Sequence, residues 1–453
     1  MKGDILNFIS AFLKKLKAHK DFRVKNYRLT ADFVDSLSLG QKDNELLGPY
    51  NMPVSSKSLG ASMYIIWEDG MISNVNLNYD SMSGFASEIA GWRSSAYRDE
   101  SAPEVWNEDR ISQDDFSKYR MYDPEVAAIA SGDATSLFEG IRLINGELTS
   151  LSKLISVSAT AQVVRRMIFL GPEAAGPAFD FSFTVSAISF DLDNVYDDYF
   201  IKRRSFKEAD LYKITEKARA IYPAFAKKLD KSDVIPTSGE HTIIFTPSTA
   251  DSFVKKYIAS NLYGRQVVEK QSKFSLSDFL SRESAFRDDI SIGFLQNGDE
   301  YEINNIPLTY EGVYAEPSYF VKNGKLITPM LDLKYARKAE MQPNAYLTSD
   351  MFQCSDFSLR VETGEYEFVN NVIADMSEGF IIFGVLGLHT QDHTSGNFSV
   401  SSPYSLSIKD GKLDGLVKLS LSGNFFEILN HHNTKFLNWY SEGDSISLKC
   451  RCS

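Results

Sequence analysis

The sequence predicts an α+β protein, and two observations support this. Strand-like runs with a period of two, together with Asp-Gly and Asn-Gly turn pairs, occur in both halves of the chain. Apolar residues spaced three and four apart, as in helices, occur mainly before residue 262. We therefore expect a mixed α+β domain with antiparallel hairpins and helices at 1–235. A largely antiparallel β domain with one helix at about 247–262 should follow at 236–453.

Size and charge limit the function classes. The 453 residues suffice for two domains, and the formal net charge is -12. Phosphate binding needs a basic surface, so we expect no nucleic-acid partner. The three cysteines are too few for a disulfide framework and are typical of a reducing, cytoplasmic location. No apolar run is long enough to span a membrane, and we expect no membrane partner.

The first twenty residues form an amphipathic pattern. Ile9, Phe12, Leu13 and Leu16 recur at helical spacing and lysines follow them. Such a helix either packs on the protein core or lies on an anionic membrane, and we favour packing because lysines at a helix C-terminus also complement its dipole.

The first half alternates strands and helices. Residues 61–68 and 71–77 predict a hairpin turning at Asp69-Gly70 through a type I′ turn, and a helix should follow at about 83–97. Residues 141–146 and the run to Leu170 resemble strands, as does the alternating run Phe179–Val185.

The clearest helix in the sequence precedes the predicted domain boundary. Ser205 and Glu208 form a capping-box pattern at its start, and Pro223 should bend or end it early. The boundary itself should lie within 229–240.

The second half begins with a strand, His241–Phe245, and a helix opening at Pro247. Asn323-Gly324 and Asp410-Gly411 predict two further hairpins.

Few residues have the spacing of a catalytic motif. No His-Glu-x-x-His or His-Glu-x-x-x-His occurs, and Gly-x-Ser-x-Gly and phosphate-binding loops are also absent. His389 and His393 flank Asp392 in a glycine-rich stretch, which could be a groove or interface loop, a structural loop or a metal site. Cys450 and Cys452 lie in the last residues of the sequence, which we expect to form a frayed tail.

Four stretches of the second half resemble the TldD/PmbA family, also called the modulator-of-DNA-gyrase family. Residues 239–250 match its strand and helix-opening proline, and 310–327 its Glu-Gly turn and following hairpin. Residues 384–399 resemble its late Gly-x-x-Gly-x-His-Thr signature, and 421–429 its Gly-Asn close.

The resemblance implies a subunit of a peptidase. Peptidase subunits of the family carry His-Glu-x-x-x-His on the helix and a downstream cysteine as zinc ligands. Counted from Pro247, those helix positions are here Lys255, Lys256 and Ser260. The cysteine is missing too, because the equivalent stretch contains His389 to His393 and Cys354 lies too early. The chain therefore resembles the PmbA (TldE) type, without its own catalytic residues, metal or cofactor.

That type pairs with a zinc-bearing TldD-type subunit, and the pair takes peptides as an added strand. The resemblance therefore implies a peptide substrate and candidate groove or interface residues, namely Glu311, Gly312, His389, Thr390, Asp392, His393, Ser395 and Gly396. Two alternatives stay open. One is a homodimeric peptide-binding scaffold, and the other is a stand-alone enzyme using the loop with His389 and His393. Whether this chain is itself an enzyme is therefore left open.

Overall fold

The computed structural model describes residues 2–42, 45–46, 52–102, 105, 121–171, 176–193, 199–227, 238–294, 308–309, 311, 318–344, 360–362, 366–440 and 443–453. Helices and mostly antiparallel sheets alternate along the chain, which confirms the predicted α+β class.

The described part of the first half contains one sheet and its helices. The strands are β1 (Val24–Lys42), β2 (Glu45–Leu46), β3 (Val54–Trp67), β4 (Ile72–Asn78), β5 (Ile155–Leu170), β6 (Phe179–Leu192) and β7 (Phe200–Arg203). The helices are α1 (Lys2–Lys17), α2 (Tyr79–Ser83), α3 (Phe85–Ser94), α4 (Pro124–Ala130), α5 (Thr135–Leu148) and α6 (Glu208–Ala226). The strands pair antiparallel in the order β4-β3-β1-β5-β6-β7, with β2 on β1.

Helix α1 packs on this sheet, as expected of a core helix. Ile9, Phe12, Leu13 and Leu16 are buried, and Phe12 meets the ring of Trp92 on α3 edge-on at 6.3 Å. Among the described residues, no helix is long and apolar enough to cross a membrane.

Three local predictions for the first half are wrong. Residues 141–146 belong to α5, because Leu137, Ile141, Ile144 and Leu148 form one buried helical stripe. The turn at Asp69-Gly70 is not type I′: of these two residues only Gly70 has positive φ, and the Trp67 amide donates to Met71 O across a longer loop. The capping box is absent, since α6 begins after Lys207 and Ser205 is buried.

Helix α6 joins the two halves. Its earlier turns pack Leu211, Ile214 and Ala218 on the first sheet, whereas Phe225 meets Phe383 of the second half at 4.6 Å. Pro223 does not end it: its ring is exposed, and the helix continues to Ala226. The predicted boundary at 235/236 lies outside the described residues and stays a prediction.

The second half is mainly strands. These are β8 (Gly239–Phe245), β9 (Ser291–Phe294), β10 (Ser318–Lys322), β11 (Lys325–Leu326), β12 (Arg360–Glu362), β13 (Glu367–Phe368), β14 (Glu378–Leu386), β15 (Asn397–Lys409), β16 (Lys412–Asn424), β17 (Lys435–Asn438) and β18 (Asp444–Cys452). The hairpins at Asn323-Gly324 and Asp410-Gly411 are confirmed, and all four turn residues have positive φ as a type I′ turn requires.

The predicted helix at about 247–262 is one continuous segment of three parts. Helix α7 (Pro247–Phe253) continues as a π-helical stretch, Val254–Ala259, and ends as α8 (Ser260–Leu262). The sequence missed four shorter helices that follow, α9 (Gly264–Val268), α10 (Leu276–Ser281), α11 (Leu333–Ala339) and α12 (Val369–Asp375). A further short helix, α13 (Phe425–Asn430), precedes His431.

Five strands of the second half pair in a closed circuit. β8 pairs with β14, β14 with β15, β15 with β16, β16 with β18, and β18 returns to β8. Phe253 and Tyr257 pack against one face of these strands, and α6 and α12 cover the other. Cys450 and Cys452 are buried in β18, so the prediction of a frayed tail is wrong.

Candidate functional site

The three-part helix at 247–262 contains the three positions that correspond to the zinc motif of the peptidase subunits. A π-helix has i to i+5 hydrogen bonding, so residues five apart lie above one another, as in His-Glu-x-x-x-His. Lys255 and Ser260 have this spacing, and the Ser260 hydroxyl donates to Lys255 O at 3.0 Å. Lys255 is exposed, while Lys256 and Ser260 are half-buried beside it. The outer face of the helix therefore presents all three.

None of these side chains is a zinc ligand. Lys255 pairs with Asp251 at 2.7 Å, one turn earlier, and Lys256 donates to His389 O at 3.2 Å. Ammonium groups repel a cation, and the serine hydroxyl is engaged with the backbone. The residues present thus do not fit the zinc site of the peptidase subunits.

The loop after β14, residues 387–396, lies against this helix. Gly387 and Gly396 have φ of +91° and +77°, so both ends use the left-handed region that glycine tolerates. Between them, Leu388–Thr390 form a single 3₁₀ turn. Gly396 is also sterically required, because a Cβ there would lie 2.4 Å from the ring of Phe426.

Hydrogen bonds within the loop fix its polar side chains. The amide and hydroxyl of Thr394 donate to Asp392, which lowers the pKa of that carboxyl. The Ser395 hydroxyl donates to Asp392 O at 3.3 Å, and Thr390 bonds back to Gly387 O at 2.8 Å. Asp392 is therefore an ionised carboxylate near neutral pH.

Side chains of the helix hold the loop by donating hydrogen bonds to backbone carbonyls of the loop. Asn261, fully buried, donates to His393 O at 2.8 Å, and the Tyr257 hydroxyl donates to Asn397 O at 3.0 Å. Burial raises the pKa of Tyr257 to about 12, which keeps it a donor. Lys256 and Asn261 thus link the helix to the loop, and Tyr257 links it to the first residue of β15.

The two loop histidines have different surroundings. The His393 ring bonds to Gln271 O at 3.1 Å, whereas His389 is exposed. Within the described part of the chain, no group of three or more histidine, cysteine, aspartate or glutamate side chains is arranged to hold a metal ion.

The strand β14 extends beyond its pairing with β8. Its last pairing with β8 is at Ile382, and the strand continues to Leu386. Among the described residues, no strand pairs with 384–386 on the β8 side, and Leu386 is 63% exposed. The start of the helix lies on that side, where the Thr249 hydroxyl donates to Ile382 O at 3.0 Å.

Glu311 lies elsewhere, in a buried junction between the two halves. Its carboxylate accepts the Leu333 amide at 2.9 Å, at the start of α11, and pairs with Arg28 of β1 at 3.5 Å. Asp332 caps the same helix, and burial followed by repulsion from Glu311 raises the pKa of its carboxyl to about 7. Glu311 thus already serves an internal contact, and its proposed groove role stays a prediction. Gly312 and Cys354 lie outside the described residues.

Sequence reasoning missed Tyr257, Asn261 and Asp332. Tyr257 lies in an apolar helical run, and its hydroxyl contact depends on how the helix meets Asn397, 140 residues later. A polar residue such as Asn261, in an apolar helical run, was the one available signal.

Comparison with known proteins identifies the class. Residues 238–439 match the sequence model of the PmbA/TldA metallopeptidase C-terminal domain. This stretch, which contains the helix and the loop, is therefore a domain of that family, and the match confirms the predicted resemblance to the TldD/PmbA family over these residues.

The fold of the whole chain is found in solved structures. A candidate modulator of DNA gyrase from Bacteroides thetaiotaomicron aligns with a TM-score of 0.69 and 14% identity, over 99% of this chain and 98% of that one. TldE from Thermococcus kodakarensis aligns with 0.66 and 14%, over 100% and 98%. A candidate modulator from Thermotoga maritima aligns with 0.66 and 15%, over 98% of each chain. No curated protein sequence matches the chain.

Proposed function

We propose that this chain is the non-catalytic, PmbA/TldE-type subunit of a metallopeptidase complex that degrades or trims unfolded or modified peptides. The observation behind the proposal is the outer face of the helix at 247–262. At the three positions compared with the zinc motif it carries Lys255, Lys256 and Ser260, and all three make contacts within the chain.

In this proposal the chain contributes binding, and a partner contributes the chemistry. The loop at 387–396, beside the end of β14, is the candidate site for an extended peptide, whose backbone can add as a strand whatever its sequence. A TldD-type partner with His-Glu-x-x-x-His would supply zinc and the general base.

The test is zinc content and peptidase activity of the purified chain, alone and co-expressed with a companion that carries His-Glu-x-x-x-His. We expect zinc and activity only in the mixed complex. Replacing the motif glutamate of the companion with glutamine should abolish activity, whereas Lys256→Gln in this chain should not.

Other results would contradict the proposal. Stoichiometric zinc in the isolated chain, lost in a His389→Ala/His393→Ala variant, would favour the stand-alone enzyme. A stable homodimer that binds peptide, but neither zinc nor any companion, would favour the scaffold.

A further inference from the structure

Ionisable side chains from both halves of the chain meet at the junction around Glu311. We propose that this junction is a proton-dependent latch, which is closed while the Asp332 carboxyl is protonated and opens more easily once that carboxyl ionises. The latch consists of α11 and Glu311 in the second half, and of β1 and the segment that follows α3, residues 97–102, in the first half.

Glu311 links α11 to the first sheet. Its carboxylate accepts the Leu333 amide at 2.9 Å and pairs with Arg28 of β1 at 3.5 Å. Asp332 lies next to Leu333 and accepts the Tyr335 amide at 2.7 Å. Both carboxyl side chains are almost fully buried, so solvent screens their interaction only weakly.

Helix α11 also contacts the segment that follows α3. Lys334 pairs with Asp99 at 2.6 Å, and Arg337 donates to Ala102 O at 2.8 Å. The Lys334 and Asp99 side chains are 21% and 14% exposed, so this pair is partly shielded from water. Separation of α11 from the first half would therefore break this ion pair as well as the one at Glu311.

The charges at the junction balance only when Asp332 is neutral. Arg28 and Lys334 supply two positive charges, and Glu311 and Asp99 supply two negative ones. A neutral Asp332 leaves this group without net charge, whereas an ionised Asp332 adds a negative charge close to Glu311. Because an excess charge in a buried setting is costly, ionisation of Asp332 favours the open junction.

The other ionisable groups described at the junction do not supply the missing positive charge. Burial raises the pKa of Tyr64 on β3, so its hydroxyl stays neutral. Burial also raises the pKa of Tyr335, whose hydroxyl donates to Glu269 at 2.7 Å. Arg265 and Lys338 are engaged with the same Glu269 carboxylate.

Asp332 titrates in the range that the latch requires. Burial, followed by repulsion from Glu311, raises the pKa of its carboxyl from the ordinary value of 3.8 to about 7. The closed junction thus holds a proton that the open junction releases, so closure is favoured at low pH and this preference is lost as the pH rises through 7. Above about pH 8 the carboxyl is ionised in both states, and no further change follows.

The latch adjoins the helix at 247–262. The Met330 amide, shortly before Asp332, donates to Leu262 O at 2.7 Å, and Met330 O accepts the Gly264 amide at 2.6 Å. A Cβ at Gly264 would lie 2.6 Å from Met330 O, so the two segments are in close contact. Displacement of α11 would therefore disturb the end of the helix that contacts the loop after β14.

Native-state hydrogen exchange of the full chain, followed by mass spectrometry from about pH 5 to about pH 9, tests the proposal. Exchange rates are corrected for the chemical rate at each pH and are measured at several low urea concentrations. We expect the opening equilibrium of the α11 amides to rise at least about tenfold between about pH 5 and pH 7 and to level off above about pH 8. The opening should be local, with a smaller dependence on urea than that of the α5 amides.

Two variants isolate Asp332. Asp332→Asn should keep the α11 amides protected across the whole range, because its side chain cannot ionise. Glu311→Gln, which still accepts the Leu333 amide, should also flatten the profile, since an ionised Asp332 then leaves the junction without net charge. Asp375→Asn, at an exposed position of α12, is the matched control and should leave the pH profile unchanged.

Three results would overturn the latch. The first is an opening of α11 that does not depend on pH in the unchanged chain. The second is an opening of α11 with the free energy and urea dependence of the α5 amides, because Asp332 would then contribute only to global stability. The third is a pH profile that Asp332→Asn leaves intact, because the titrating group would then lie elsewhere.

Discussion

The loop at 387–396 and the junction around Glu311 come from the same family resemblance, yet they use polar groups in opposite ways. The loop lies at the surface, and side chains of the helix hold its backbone carbonyls. The junction is buried and places Glu311 against Arg28 and Asp332 across the two halves of the chain. A motif residue can thus stabilise the fold rather than bind a ligand, and its burial distinguishes the first role from the second.

The largest effect is expected at Glu311. In Glu311→Ala, the Arg28 guanidinium and the Leu333 amide lose a buried acceptor, which should cost about 3–5 kcal/mol of unfolding free energy. Denaturant unfolding measures this. Asp392→Ala, in the exposed loop, is the control and should cost less than about 1 kcal/mol. Equal losses would remove the distinction between the two regions.

The pH dependence of the unfolding free energy should come from Asp332. Because the folded-state pKa of this carboxyl, about 7, is raised above its ordinary value of 3.8, its contribution to stability is fully present below about pH 4 and is lost as the pH rises through 7. The groups around it are Glu311, which raises the pKa, and Lys334 and Arg28, which lower it. The loss is at most about 4 kcal/mol.

Asp332→Asn tests this assignment. The amide oxygen can still cap α11 by accepting the Tyr335 amide, which Asp332 accepts at 2.7 Å, but it carries no charge. Unfolding between pH 4 and 8 should therefore show a flatter profile and a more stable protein at pH 8. An unchanged profile would assign the titration to another group.

A smaller effect should separate the two ends of the loop. Gly396→Ala should cost about 2–3 kcal/mol, because its Cβ meets Phe426 at 2.4 Å in addition to the strain of positive φ. Gly387→Ala has open space around its Cβ and should cost only about 1 kcal/mol, from strain alone. Similar losses at both would mean that Phe426 moves aside.

The smallest effect is expected at Lys256. Lys256→Met removes one half-exposed hydrogen bond to His389 O and should lower stability by about 0.5–1 kcal/mol. Hydrogen exchange at 388–390 should rise, while exchange of the β14 amides stays unchanged. Faster exchange along β14 would mean that this contact also supports the strand.

Local sequence patterns correctly predicted the elements that depend only on neighbouring residues. The helix opening at Pro247, the type I′ turns at Asn323-Gly324 and Asp410-Gly411, and the alternating strand at 179–185 all follow from spacing and turn chemistry. Residues 141–146 failed because a short apolar run fits both periods, and only the longer stripe from Leu137 to Leu148 separates them.

The site was only partly predictable. Motif order located the helix and the loop, but the π-helical alignment of Lys255 with Ser260 and the bond from Asn261 to His393 O depend on tertiary packing. The burial of Glu311 needs Arg28, which lies 283 positions away by subtraction of their residue numbers. No local pattern contains such a distance.

The closed circuit of strands has a consequence for the order in which the protein can fold. β18 completes it by pairing with β8, and Ser445 donates to Phe245 O, 200 residues earlier. Until β18 has left the ribosome, β8 lacks one of its two neighbours and presents an unpaired edge. The second half therefore closes only after β18 has emerged, in a slow, long-range step before which the unpaired edge of β8 is prone to aggregation.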